Sequence, residues 1–328
     1  MNSSAYDCLL PLMQAKGVKI SPEAFHQAVN ITFHKFEAAN YDEVHREMWE
    51  SLPREFELLV NDLLDANANL PERMSVLDVG CGTGLSSHLL LQTSLRSHIS
   101  HVTLLDTSPE MLKKSSARAA NWKIDYDVKE GMLDQLTSRR FDFILACSLL
   151  HHIPDLAMFT QQVRSLQSAS GVFLHIHDPN GDYFEDPVLH ERQQLLKKAS
   201  GTQTNQKKGI VSRLRRKASL LFGAGSYLDE VNRELLRKGV IERAMTNDEI
   251  WSVTDIHESA LPFSTGRGIS LQSMGQFLPD YKLVSARSYA FFGKLRNRLS
   301  LPLQEQEDRL SSKRAMNGKE IAAVWELA

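Results

Sequence analysis

The chain has 328 residues, 42% of them hydrophobic and 24% charged, with a formal net charge of -2. That length supports about two domain-sized units, or one large domain carrying insertions. The near-neutral balance excludes a chain-wide basic field for nucleic acid or an anionic membrane, so partner choice must be argued locally.

In chain order, the first apolar run, Leu9 to Met13, is too brief for a signal peptide, and no window reaches membrane-spanning length. Cys8, Cys81 and Cys147 are odd in number, far apart and without a C-x-x-C pair. This argues against a disulfide framework or a structural zinc site and makes a reducing, cytoplasmic setting the expectation. Residues 20 to 70 carry helical periodicity. Phe25, Val29, Phe33 and Phe36 form one stripe, and Phe56, Leu59, Val60, Leu63 and Leu64 another, punctuated at Asn40-Tyr41-Asp42 and Ser51-Leu52-Pro53. After Pro71 short strand-like runs alternate with helical stretches: Ser75 to Val79, His101 to Asp106, a weaker run at Tyr126 to Lys129, Phe141 to Ala146 and Gly171 to His177. Such alternation predicts a parallel α/β sheet. From Asp182 to about Pro262 the pattern turns helical and locally basic. Strand signals return at Tyr281 to Phe292 and Ile321 to Leu327, with a polar loop and surface helix in Leu299 to Gly318.

Residues 78 to 84 read DVGCGTG, with glycine at every second position from Gly80 to Gly84. Such a loop lets backbone N–H groups turn toward a ligand where a strand becomes a helix. A triphosphate loop would end in Gly-Lys-Ser/Thr, whereas Gly84 is followed by Leu85 and Ser86. A dinucleotide loop needs a small residue where Leu85 stands. Asp78, two places before the first glycine, is a poor neighbour for pyrophosphate and a good one for a cationic ligand. Asp106 ends the neighbouring strand, where a carboxylate can grip a ribose diol with two hydrogen bonds.

The motifs LDVGCGTG, LLDTSPEMLKKS and FDFILACSLLHHIPD, with the terminal strand pair, resemble those of class I S-adenosylmethionine-dependent methyltransferases of the small-molecule, ubiquinone/menaquinone-biosynthesis-like type. The resemblance covers Tyr41 to about Asn180 well and the last fifty residues loosely. It implies an α/β fold: a doubly wound, mostly parallel seven-stranded Rossmann-like sheet with an N-terminal helical cap and a helical insert. The expected divisions are 1–70 for the cap, 71–181 for the cofactor-binding core, 182–262 for the insert or substrate lid, and 263–328 for the remainder of the core sheet. The implied cofactor is S-adenosyl-L-methionine. Gly80, Cys81, Gly82 and Gly84 would cradle its methionine part, with Cys81 a small packing residue rather than a nucleophile. Asp106 and Thr107 would meet the ribose, and Met111 would pack near the adenine. Asp78 would act on the ammonium through water. Where the family commonly has an acidic residue, this chain reads Glu130-Gly131-Met132-Leu133-Asp134. Met132 and Leu133 are therefore expected beside the adenine, with a backbone N–H of Met132 as the contact and Asp134 or Glu130 supplying any carboxylate. Cys147 closes the fourth strand beside the cofactor, and Tyr41 lies where a helix folds over it.

Methyl transfer needs an in-line acceptor and, where the acceptor must lose a proton, a base. The candidates follow the fourth and fifth strands: His151 and His152, and then His177 and Asp178. Alternation puts His175 and His177 on one face, with His175 the deeper, hydrogen-bonded core residue. A metal site from His177, Asp178 and Asn180 lacks the adjacent Asp-Asn pair of catechol-type enzymes, and no metal is expected. His257 is a further candidate base. Lys207, Lys208, Arg213, Arg215, Arg216 and Lys217 alternate with apolar residues in a basic amphipathic stretch. It is suited either to a solvated lid face or to an acidic carrier, an anionic ligand or a membrane surface. The expected function is methyl transfer to O, N or C of a small organic acceptor. The alternatives are a catalytically silent cofactor-binding regulator and a nucleic-acid methyltransferase. The last lacks the Asn/Asp-Pro-Pro-aromatic motif after the fourth strand, so nucleic acid is not an expected partner.

Overall fold

The computed structural model describes residues 4–66, 70–136, 139–201, 227–258 and 268–328. Before the sheet lie α1 (Leu10–Lys16), α2 (Pro22–Glu37), the short α3 (Tyr41–Val44) and α4 (Arg46–Ala66). Ser21 starts α2 by accepting the Ala24 N–H, with Pro22 in the first turn where its missing N–H costs nothing. Pro53, expected to break the chain, instead lies inside α4. The buried face made by Met48, Leu52, Phe56, Leu59 and Leu63 outweighs the lost hydrogen bond.

The sheet strands are β1 (Met74–Val79), β2 (Ile99–Asp106), β3 (Asp125–Glu130), β4 (Phe141–Cys147), β5 (Gln167–Pro179), β6 (Tyr281–Tyr289) and β7 (Glu320–Leu327). Their order is β3-β2-β1-β4-β5-β7-β6. β7 runs antiparallel to β5 and β6, while the other neighbours pair in parallel. Among the described residues the next helices are α5 (Leu85–Leu90), α6 (Pro109–Ala119), α7 (Leu156–Leu166), α8 (Gly181–Phe184), α9 (Leu189–Gly201) and α10 (Tyr227–Arg237). Then come α11 (Asn247–Thr254), α12 (Leu271–Phe277) and α13 (Leu301–Ser312). The family resemblance implied a seven-stranded, mostly parallel sheet, and the fold has one.

Strand alternation sorts the core onto two faces. Val76, Val102, Phe143, Leu145 and Leu174 meet α4 and α5 on one side. Leu77, Leu105, Ile144 and Phe173 meet α7 and α12 on the other. A third cluster joins Phe25, Val29 and Phe33 of α2 to Val231 and Leu235 of α10 and Ile250 and Val253 of α11. Thus α4 belongs to the sheet core, while α1 and α2 pack with α10 and α11. The basic stretch 207–217 lies outside the described residues. Among the described residues no helix is long and apolar enough to cross a membrane.

Candidate functional site

A cavity of about 330 Å3 lies at the C-terminal ends of β1, β2 and β4, roofed by α2. Its floor is the glycine loop. Gly80 and Gly82 have φ of +62° and +52°, and the position a Cβ would take on Gly82 has no atom within 4 Å. That empty margin is space a ligand can enter against bare backbone. Asp106 braces the loop: its Oδ2 accepts the Gly82 N–H and its Oδ1 the Ser108 N–H, both at 2.8 Å. Burial raises its pKa, partly offset by these N–H groups. Each oxygen keeps a lone pair for a ribose hydroxyl, so the donor set fits S-adenosylmethionine. Gly80, Gly82 and Cys81 would hold its amino-acid end, Asp106 its sugar, and Met111 and Leu133 its base.

Of the cofactor residues expected from sequence, Tyr41, Gly80, Cys81, Gly82, Asp106, Thr107, Met111, Met132, Leu133 and Cys147 line this cavity, as does Asp134. Asp78 and Gly84 do not. Asp78 sits fully buried behind the loop, where its Oδ2 accepts from the Ser86 and Ser87 hydroxyls at 2.6 Å each and holds the start of α5. Its Oδ1 has no partner among the described residues, and burial lifts its pKa to about 6. Gly84 is a packing glycine; a Cβ there would come within 3.1 Å of Ser115 Cβ. The Met132 N–H is also not free for adenine, because Gln135 Oε1 accepts it at 3.3 Å. Burial pushes the Cys81 and Cys147 thiols well above their ordinary range, which disfavours the thiolate form.

Above the floor the roof is tied down at two places. Gln27 of α2 donates to Met132 Sδ at 3.3 Å. Thr83 in the loop donates to Asp42 Oδ1 at 2.7 Å, and Arg118 donates to Asp42 Oδ2 at 2.7 Å while lying 4.5 Å from the Trp49 ring. Sequence reasoning missed Tyr6, in the turn before α1, and His26 and His34 of α2, all of which line the cavity. The two histidines belong to the stretch read only for its apolar stripe.

Among the candidate bases, His152 lines the cavity, whereas His151, His177 and Asp178 do not. The reason is local. The turn Leu150–His152 aims the two adjacent rings differently, and their centroids are 4.0 Å apart. His151 points inward, with Nδ1 2.9 Å from Asp178 Oδ1, and burial depresses its pKa well below the ordinary value. His177 occupies a bulge in the β5–β7 pairing with φ of +68°, so the alternation expected to align it with His175 is broken. Its Nδ1 lies 3.0 Å from the Tyr289 hydroxyl. Asp178 takes the place beside His175 instead, 4.0 Å away. His175 is fully buried, and neither ring nitrogen has a hydrogen-bond partner among the described residues, contrary to the hydrogen-bonded core histidine expected. Asn180 is occupied structurally, donating to the Met316 and Gly318 carbonyls. His257 is turned away from the cavity, with Nε2 2.8 Å from the Ile153 carbonyl.

His152 is held by a residue the sequence did not single out. Its Nδ1 lies 2.8 Å from the Thr254 carbonyl and 3.2 Å from Asp255 Oδ1. Burial opposes a charged ring, but the bond and charge of Asp255 prevail and raise the pKa of His152. Ligand atoms of His151, His152 and Asp255 come within 4.8 Å of one another. A metal ion could use His152 Nδ1 only if that nitrogen gave up its bond to the Thr254 carbonyl.

A methyltransferase-domain family model matches residues 70–231. An uncharacterized methyltransferase of Mycobacterium tuberculosis (strain ATCC 25618 / H37Rv) is 33% identical over 109 residues, 33% of this chain and 52% of that protein. A ubiquinone biosynthesis O-methyltransferase of Xylella fastidiosa (strain 9a5c) is 31% identical over 99 residues, 29% of this chain and 38% of that one. The chain thus spans about half the length, or less, of these curated relatives. Among solved structures, the plantazolicin methyltransferase BpumL is 11% identical, with a TM-score of 0.46 over 93% of this chain and 96% of that one. Residues 70–231, which contain the glycine loop and Asp106, thus carry a methyltransferase domain of the S-adenosylmethionine-dependent kind.

Proposed function

We propose that the protein transfers the methyl group of S-adenosylmethionine to a small organic acceptor. The observation that carries this reading is the continuity of one cavity from the Gly82–Asp106 floor to the ring of His152 and the underside of α2. A cofactor seated on the loop leaves room beyond its sulfonium, walled by Ile31, Ile153, Met158 and Phe159. That enclosure suits an acceptor of modest size, because a roof tied across the loop excludes water and holds two reactants in one orientation.

Calorimetry with S-adenosylhomocysteine tests the first half and a coupled assay of its release from S-adenosylmethionine over a metabolite panel the second. Binding with turnover is expected. Binding without turnover of any acceptor would favour the silent regulator. Absence of binding would remove the reading altogether.

A further inference from the structure

We propose that the protein holds one divalent metal ion of the zinc class between His151 Nε2, His152 Nδ1 and Asp255 Oδ1, as a structural joint between the turn after β4 and the end of α11. The site stands apart from the methyl-transfer reading, because of its three ligands only His152 lines the cavity.

The lone pair of His151 is placed by the partner of its other nitrogen. Asp178 Oδ1 accepts the backbone N–H of His151 at 3.2 Å, so it is an acceptor, and Nδ1, 2.9 Å from the same oxygen, is its second donor. Nε2 therefore carries the lone pair. A ring tied through one nitrogen to a buried carboxylate and left bare at the other is the arrangement that orients imidazole toward a metal. Asp255 Oδ1 lies 3.9 Å from that bare nitrogen. The distance is too long for a hydrogen bond. It falls within the span of about 4.2 Å open to two ligands on opposite sides of one zinc ion.

His152 supplies the third atom. Its Nδ1 lies 3.2 Å from the same Asp255 oxygen, and the three atoms are within 4.8 Å of one another. Without an ion this Nδ1 carries a proton and donates to the Thr254 carbonyl at 2.8 Å. The ring frees that nitrogen without gaining charge by carrying its proton on Nε2 instead. Nε2 is absent from the buried unpartnered atoms and its ring lines the cavity, so an N–H there can be solvated. The carbonyl oxygen, released from its donor, is then close enough to join the ion's oxygen ligands.

The donor set selects the ion. Two imidazoles and one carboxylate suit zinc and its first-row neighbours, whereas magnesium and calcium favour all-oxygen sites. Side-chain exposures of 10% for His151, 16% for His152 and 18% for Asp255 leave an approach from solvent. The ligands come from segments about a hundred residues apart, and Asp255 follows the helix α11 that packs on α2. An ion between them would fasten α11, and with it the roof, to the sheet.

The test uses the full chain without a histidine tag, stripped of metal by a chelator and titrated with zinc chloride by calorimetry. Uptake of one zinc ion per chain is expected. His151→Gln and Asp255→Asn should weaken it by about tenfold or more, and Asp178→Asn, which removes only the anchor of a ligand, also by about tenfold. His190→Gln, at an exposed histidine of α9, should leave it unchanged. Cadmium-113 loaded into protein with nitrogen-15 histidine gives a second readout. Couplings are expected on two rings, one through Nδ1 and the other through Nε2. That mixed pattern is read on wild type alone, so it decides even where the variants do not fold. Absence of stoichiometric uptake, affinity unaltered in both His151→Gln and Asp255→Asn, or a different coupling pattern overturns the site. Calorimetry with S-adenosylhomocysteine on the metal-free chain is read separately, and failure there would count against the methyl-transfer reading instead.

Discussion

Asp106, the last residue of β2, accepts the backbone N–H of Gly82 at 2.8 Å, so the end of one strand sets the shape of the loop that follows its neighbour. Ligand and loop therefore share one carboxylate. Asp106→Ala is expected to weaken S-adenosylhomocysteine binding by about 1 to 3 kcal/mol, the scale of lost charge-assisted hydrogen bonds. Calorimetry reads the change directly, and an unaltered dissociation constant would mean the sugar is held elsewhere.

The open space over Gly82 separates ligand binding from folding. Alanine there pays about 1 to 2 kcal/mol for the left-handed backbone but clashes with no protein atom. Its methyl group would stand on the cavity floor, so affinity for S-adenosylhomocysteine should fall by about tenfold or more, equivalent to at least about 1.4 kcal/mol. Gly80→Ala should lose more stability, because its Cβ would come within 2.5 Å of Leu149 Cδ1. Urea unfolding set beside calorimetry distinguishes the two. A Gly82→Ala protein that binds normally would place the cofactor off this loop.

Arg118 joins the roof to the floor through Asp42 and Thr83. Arg118→Ala removes these bonds and the stacking on Trp49, an expected loss of about 1 to 2 kcal/mol of stability. A looser roof should also let S-adenosylhomocysteine leave faster. Stopped-flow displacement would show a higher dissociation rate; an unchanged rate would mean the latch plays no part in retaining the ligand.

His26 gives a pH dependence with a definite sign. Burial, followed by the nearby His152 and His257, lowers its pKa to about 3. Between that value and the ordinary 6.5 or so, the unfolded chain binds a proton that the folded one refuses, so acidification through this range destabilises the fold. The contribution approaches about 1.4 kcal/mol per pH unit. His26→Gln should therefore show a shallower fall in unfolding free energy between pH 6.5 and 4 than wild type, measured by urea titration. Parallel curves would mean that His26 titrates normally in the folded protein.

The sequence by itself determined the sheet, the glycine loop and Asp106, because these depend on local signals: alternation of apolar residues, glycines where φ is positive, a carboxylate at a strand end. The same local character explains why ten of the expected cofactor residues line one cavity. Only the tertiary structure decided which histidine meets that cavity. A single-residue bulge at His177 reversed the face that alternation assigned to it, and the turn after β4 sent His151 inward and His152 outward. Asp255, about a hundred residues further on, reaches His152 where α11 packs against α2. Contacts of that separation depend on how helices pack and leave no periodic trace along the chain.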